Sequence, residues 1–206
     1  MLQMIKGAKV PAAEQLKEGY LLEEHRITAN VDADKILPIM ENYLLKNEEL
    51  PLFFFIETPC NISDETVVGK TEDGAVLVNV RHKDIWYLDG IPAQTVRQIL
   101  AQASDILVHD GLSAFGIGNS VGEEIGKYKY NIMQVFCREE HAQKYAPIFE
   151  GHGIRETQNL ITAWETFTQD APGECGQYAN ENGLTIYDVI DWLKKHGMYR
   201  AEVRAD

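Results

Sequence analysis

Three residues of this chain invite a chemical reading by type and position: His109, Asp110 and Cys175. An adjacent histidine and aspartate form part of many metal sites, but such a site needs further ligands on neighbouring elements, and the sequence places none. His109-Asp110 stands before Gly111 at the end of a short apolar run, which reads as a turn aspartate beside a surface histidine. The other histidines (His25, His82, His141, His152 and His196) are scattered and make neither His-x-x-x-His nor His-Glu-x-x-His, so zinc hydrolysis is not indicated. Cys60, Cys137 and Cys175 are odd in number and far apart, with no Cys-x-x-Cys pair. That spacing argues against a disulfide framework and a structural zinc, and fits buried free thiols in a reducing compartment. Cys175 lies in a turn-rich loop, where a thiol could act as a nucleophile with a distant histidine. Glu174 beside it opposes thiolate formation. No metal or cofactor is expected, and catalysis by His109, Asp110 and Cys175 is the weaker alternative.

Gly116-Ile117-Gly118, followed by Gly122 and Gly126, invites comparison with a phosphate loop. Phosphate binding needs backbone N–H groups at a helix start. Here the next element reads as a strand, Glu123 and Glu124 add negative charge, and no Gly-Lys-Ser or Gly-Lys-Thr is present. A glycine-rich hairpin loop or bulge is the simpler reading. Ser113 and Ser120 lack a Gly-x-Ser-x-Gly elbow.

Positioning these residues falls to a chain with 45% hydrophobic and 25% charged residues, a globular balance. Net charge is −13, from 19 basic and 32 acidic side chains spread along the chain. Such a field repels nucleic acid and anionic membranes and steers a basic protein inward. Lys127 and Lys129 between Tyr128 and Tyr130 are too few for nucleic-acid binding. The N-terminus lacks a signal-peptide core, and no apolar run is long enough to span a membrane. A cytoplasmic location is expected. Trp86, Trp164, Trp192, Tyr87 and Tyr187 read as core first and as interface anchors second.

The patterning gives a strand over 21–31, then a helix capped by Asp32 and running to about Lys46 with Ile36, Ile39, Met40, Tyr43 and Leu44 on one face. Leu50–Thr58 reads as a central strand buried on both faces. A hairpin at Glu72-Asp73-Gly74, a strand over 85–88, a helix from Pro92 to about Ala103 and a short strand over 106–109 follow. Lys127–Phe136 reads as a strand, Arg138–Glu150 as a helix, Leu160–Thr168 as a strand and Leu184–His196 as the last helix. The run Lys35-x-x-Pro38-Ile39-Met40-Glu41 recurs as Lys144-x-x-Pro147-Ile148-Phe149-Glu150. Each proline must lie in a first turn or kink its helix. These matches predict an internal duplication: α+β architecture, one compact unit over 1–206, with repeats at 19–120 and 124–206. Each repeat would contain βαβ and be α/β-plait-like, in a mostly antiparallel sheet with helices mainly on one face.

Asp110-Gly111-Leu112, Phe115-Gly116-Ile117-Gly118, Glu123-Glu124-Ile125 and Lys129-Tyr130-Asn131 form one connected stretch. It resembles a segment in a loose group of bacterial proteins, some of them similar to immunity proteins of polymorphic toxin systems. The resemblance implies a small acidic protein that neutralises a toxin by binding it, and it brings no functional residues with it. The stretch itself reads as a hairpin, with Phe115 packed inward, Gly116 and Gly118 in an irregular loop, and Glu123 and Glu124 projecting towards a basic partner. Asp110, Phe115, Gly116, Gly118, Glu123 and Glu124 are the candidate binding residues. The alternative is a small-ligand binder or enzyme using the cleft between the repeats.

Overall fold

A computed structural model describes residues 2–71, 74, 76–138 and 141–205. Among the described residues, twelve strands and four α-helices follow one another in chain order. They are β1 (Ala8–Lys9), β2 (Gly19–Leu22), β3 (Arg26–Asn30), α1 (Ile36–Asn47), β4 (Leu52–Pro59), β5 (Val67–Lys70), β6 (Val76–Val78), β7 (His82–Ile91), α2 (Ala93–His109), β8 (Ala114–Asn119), β9 (Glu123–Lys127), β10 (Ile132–Cys137), α3 (Ala146–Gly151), β11 (Glu174–Cys175), α4 (Ile186–Lys194) and β12 (Tyr199–Ala205). Eight strands form one sheet in the order β12-β7-β4-β8-β9-β10-β3-β2, and every neighbouring pair is antiparallel. Strands β1–β11 and β5–β6 make two small two-stranded sheets.

Alternation along each strand divides the sheet into two faces. Phe54 and Ile56 of β4, Phe115 and Ile117 of β8, Ile125 of β9, and Met133 and Val135 of β10 point one way. They share a single core with the buried sides of α1, α2, α3 and α4. The other face presents Phe53, Phe55 and Glu57 from β4, Gly118, Gly116 and Ala114 opposite them on β8, and Ile85 and Tyr87 from β7. None of these belongs to the helix-covered core.

The strand order explains where the glycines sit. Gly116 and Gly118 belong to the regular strand β8, not to a loop as expected. A Cβ on Gly116 would stand 2.3 Å from the Phe55 ring, and one on Gly118 would stand 2.0 Å from the Phe53 ring. Phe55 and Phe53 are their direct cross-strand partners. The outer end of each ring therefore occupies space that a side chain at that position would need, which compensates glycine's intrinsic weakness in a strand. The tight turn is at Gly122, where φ is +87°.

Several local expectations are corrected. The segment 106–109 is not a strand; α2 continues through it to His109, because Val96, Ile99, Leu100, Ala103, Ile106 and Leu107 keep one buried helical face. The region 21–31 is a hairpin, β2–β3, rather than one strand. Lys127–Phe136 is interrupted, with Tyr130 and Asn131 at positive φ between β9 and β10. Leu160–Thr168 holds a 3-10 turn, Ala163–Thr166, started by a capping box between Thr162 and Glu165. Both proline-bearing helices start late: a 3-10 turn at Ala33–Lys35 leads into α1 and one at Ala142–Tyr145 leads into α3. Pro38 and Pro147 thus fall in first turns, where no intrahelical N–H is lost. The hairpin β5–β6 is present, while Glu72 and Asp73 of its expected turn lie outside the described residues.

Replacing Gly116 with alanine is expected to destabilise the protein by about 2 kcal/mol in urea unfolding, through forced displacement of Phe55 and the Ile125 carbonyl. Gly151→Ala, where an added Cβ meets open space, is the matched control and is expected to change stability by less than about 1 kcal/mol.

Candidate functional site

The face of the sheet turned away from the helices carries two depressions. The first, at the β12–β7–β4 edge, has a volume of about 450 Å³ and is lined by Phe53, Tyr87, Asp89, Tyr199, Ala201 and Glu202. Tyr199 pairs with Tyr87 across the strands, and the Phe53 and Tyr87 rings meet edge to face at 5.5 Å. The Tyr199 hydroxyl donates to Asp89 at 2.5 Å, which holds the phenol at the rim. Every side chain of β12 is exposed. Aromatic anchors within an acidic rim result.

The second depression, a cleft of about 420 Å³, lies where β4, β8 and β10 end, and Trp164 forms its outer wall. Glu57 and Lys83 form an ion pair of 2.6 Å within it. Glu124 lies on the same face beside Gly118, and its carboxyl is raised above the usual range by burial and by the neighbouring Glu57 charge. The Tyr128 hydroxyl donates to it at 3.3 Å.

The sequence-picked residues occupy different places. Phe115 points inward, fully buried beneath the helices, as expected. Glu123 is not projecting: it is 6% exposed, because the first residue of β9 faces the helices. Its carboxylate takes the Lys144 ammonium on one oxygen, and the Tyr145 hydroxyl (2.6 Å) and Asn119 amide (3.1 Å) on the other. Burial raises its pKa, but these three partners outweigh that and hold it below the ordinary value. Glu123 thereby ties the β8–β9 hairpin to the turn before α3. Of the acidic pair, Glu124 alone faces the open side.

Asp110 is also interior. It is fully buried, accepts from the Leu112 and Ser113 amides (3.0 and 2.8 Å) and from the Tyr178 amide (2.9 Å), and so closes the C-terminus of α2. Beneath it Lys127, itself fully buried, donates to the Asp110 carbonyl at 2.6 Å. A cation at the carbonyl end of the longest helix is favourably placed, yet burial pushes the Lys127 amine down to about 8.

His109, Asp110 and Cys175 do come to one locality, where Gly7 bonds the His109 carbonyl and Gly111 bonds the Gly176 carbonyl. Burial raises the Cys175 thiol against the opposing Tyr130 hydrogen bond, and burial, with Lys6 nearby, lowers His109. No group of three or more His, Cys, Asp or Glu among the described residues is placed to hold a metal ion. No helix among them is long and apolar enough to cross a membrane. The residues that sequence reading missed are Phe53, Glu57, Lys83, Asp89, Gln134, Tyr199 and Glu202. The alternation of Phe53, Phe55 and Glu57 within an apolar run was the available signal.

Compared with known proteins, the chain matches no family model, no curated protein sequence and no solved structure.

Two measurements check the buried charges. A carboxylate with a depressed pKa stabilises above its unfolded pKa and loses that contribution as pH falls through the folded value. Thermal unfolding of Glu123→Gln is therefore expected to lose part of the acid-side decline below about pH 5, and at neutral pH the variant is expected to be less stable by about 2 kcal/mol. Lys127 runs in the same direction at higher pH, since here too the unfolded chain binds the proton more tightly than the folded one. Relative to Lys127→Met, the native protein is expected to gain stability as pH rises from about 8 to about 10.

Proposed function

We propose that the chain is an acidic cytoplasmic protein-binding module of the immunity type, which neutralises a basic partner protein by occluding it. The observation that carries this reading is the aromatic depression on the open face of the sheet. Phe53, Tyr87 and Tyr199 supply ring surface, and Asp89 and Glu202 stand at its rim. Aromatic anchors within a polar rim are the anatomy of a protein interface, and an acidic rim with a net charge of −13 steers a basic partner. Arg204 pairs with Glu202 at this edge, so a partner's cation would compete with an existing one.

Internal duplication over 19–120 and 124–206, in plait-like units, is proposed with it. Support comes from the shared course of β3 into α1 and of β10 into α3, each through a 3-10 turn with proline in the first helical turn. Strands β3 and β10 are neighbours in the sheet. The likeness stops there, since α1 leads to β4 and α3 leads to the 3-10 turn at Ala163–Thr166.

A second reading, small-ligand binding, is favoured by the 420 Å³ cleft, whose walls come from both proposed repeats: Glu57, Lys83 and Ala114 from the first, and Ile132, Gln134 and Trp164 from the second.

The test is titration calorimetry against the protein encoded by the adjacent reading frame. Tight binding is expected, weakening at least tenfold between about 50 and about 500 mM salt. Combined Tyr87→Ala and Tyr199→Ala is expected to cost about 2 kcal/mol or more. Binding indifferent to salt and to these substitutions would overturn the reading.

A further inference from the structure

The cleft beside Trp164 has a chemistry of its own. Trp164 is 53% exposed, although its indole packs against two rings that also meet each other, Tyr130 at 5.0 Å with an interplanar angle of 89° and Phe167 at 5.4 Å with an angle of 70°. Two edge-to-face contacts fix the plane of the ring. The capping box of Thr162 and Glu165 fixes the short turn that carries it. The ring is thus ordered before anything binds, which lowers the entropic cost of stacking on it.

Facing this platform are polar groups of mixed kind. Glu57 offers carboxylate acceptors, Lys83 ammonium donors, and Gln134 an amide with both. Glu57 is only 8% exposed and is already paired with Lys83, and Lys129 adds a second ammonium to the lining. Ala114, Leu112, Ile132 and Pro59 add small or aliphatic surface, and Thr58 and Tyr128 add hydroxyls. A phosphorylated or carboxylated ligand would meet Glu57 and a protein of charge −13. A flat nucleobase would find an aromatic wall on one side and aliphatic groups on the other. A sugar ring fits both halves of the lining. One face of a pyranose is a sheet of C–H groups, and its rim is hydroxyls, each a donor and an acceptor.

We propose that this cleft binds an uncharged pyranose saccharide, with one ring face on the Trp164 indole and hydroxyls on Glu57, Lys83 and Gln134. The proposal rests on the second reading above, small-ligand binding in the cleft, and adds the chemical class.

The experiment uses the full chain and a panel of neutral methyl glycosides and disaccharides, with adenosine and inorganic phosphate as further probes. Binding is followed by calorimetry and by tryptophan emission, with Trp164→Phe assigning the emission change to that residue. At least one saccharide is expected to bind with a Kd of about 1 mM or tighter. Trp164→Ala and, separately, Gln134→Ala are each expected to weaken it at least about tenfold, with unfolding midpoints confirming that both variants fold. Saccharide binding that is indifferent to both substitutions overturns the proposal. Binding of adenosine or phosphate without any saccharide overturns the sugar assignment and leaves small-ligand binding standing. No binding of any probe overturns both.

Discussion

The rings of Phe53 and Phe55 lie directly over Gly118 and Gly116, and much of the molecule's shape follows from that seating. With any side chain on β8 at those positions, the rings would be pushed off the sheet. With them seated, β4 stays almost fully buried at the centre of an eight-stranded sheet although the helices all pack on its other side. Phe55 is 2% exposed on a face that no helix covers. The open face is consequently a fitted surface of its own, from the Tyr199 edge to the Trp164 wall.

The helix side is held in register by buried polar groups that hydrogen-bond across elements. Asp110 and Lys127 close the C-terminal end of α2 from its two sides. Asn131, at positive φ, accepts from the Ile5 amide and donates to the Gln3 and Val31 carbonyls, so the N-terminal segment is bound to the β9–β10 connection. Glu123 binds the hairpin to the turn before α3. Such groups are costly to bury and costly to break, which makes them determinants of a single arrangement. Asp110 and Glu123, picked from the sequence as binding residues, are buried in such contacts, while the proposed interface uses aromatic and acidic residues on the opposite face.

Legibility in the sequence followed the range of the interactions. Helix faces and strand alternation are local, and the pattern of apolar spacing carried them, whereas Pro38 and Pro147 left a late helix start or a kink open. The 3-10 turn at 163–166 was also local, but its Thr162-x-x-Glu165 signal was overridden by apolar content. Which face of β4 lay under the helices was not legible, because it depends on β8, β9 and β7 being its neighbours. The fate of Glu123 against Glu124 turned on one step of strand parity, which reverses inside and outside. The aromatic depression draws on β4, β7 and β12, far apart in the chain, so no single segment announces it.

Amide hydrogen exchange of the protein alone and with the basic partner proposed for it bears most directly on the proposal that the open face is the working surface. Slowed exchange in β12 and the neighbouring part of β7, with α1 and α3 unchanged, is the expected pattern. Protection confined to the exposed sides of α1 and α3, with β12 exchanging as freely as before, would contradict it.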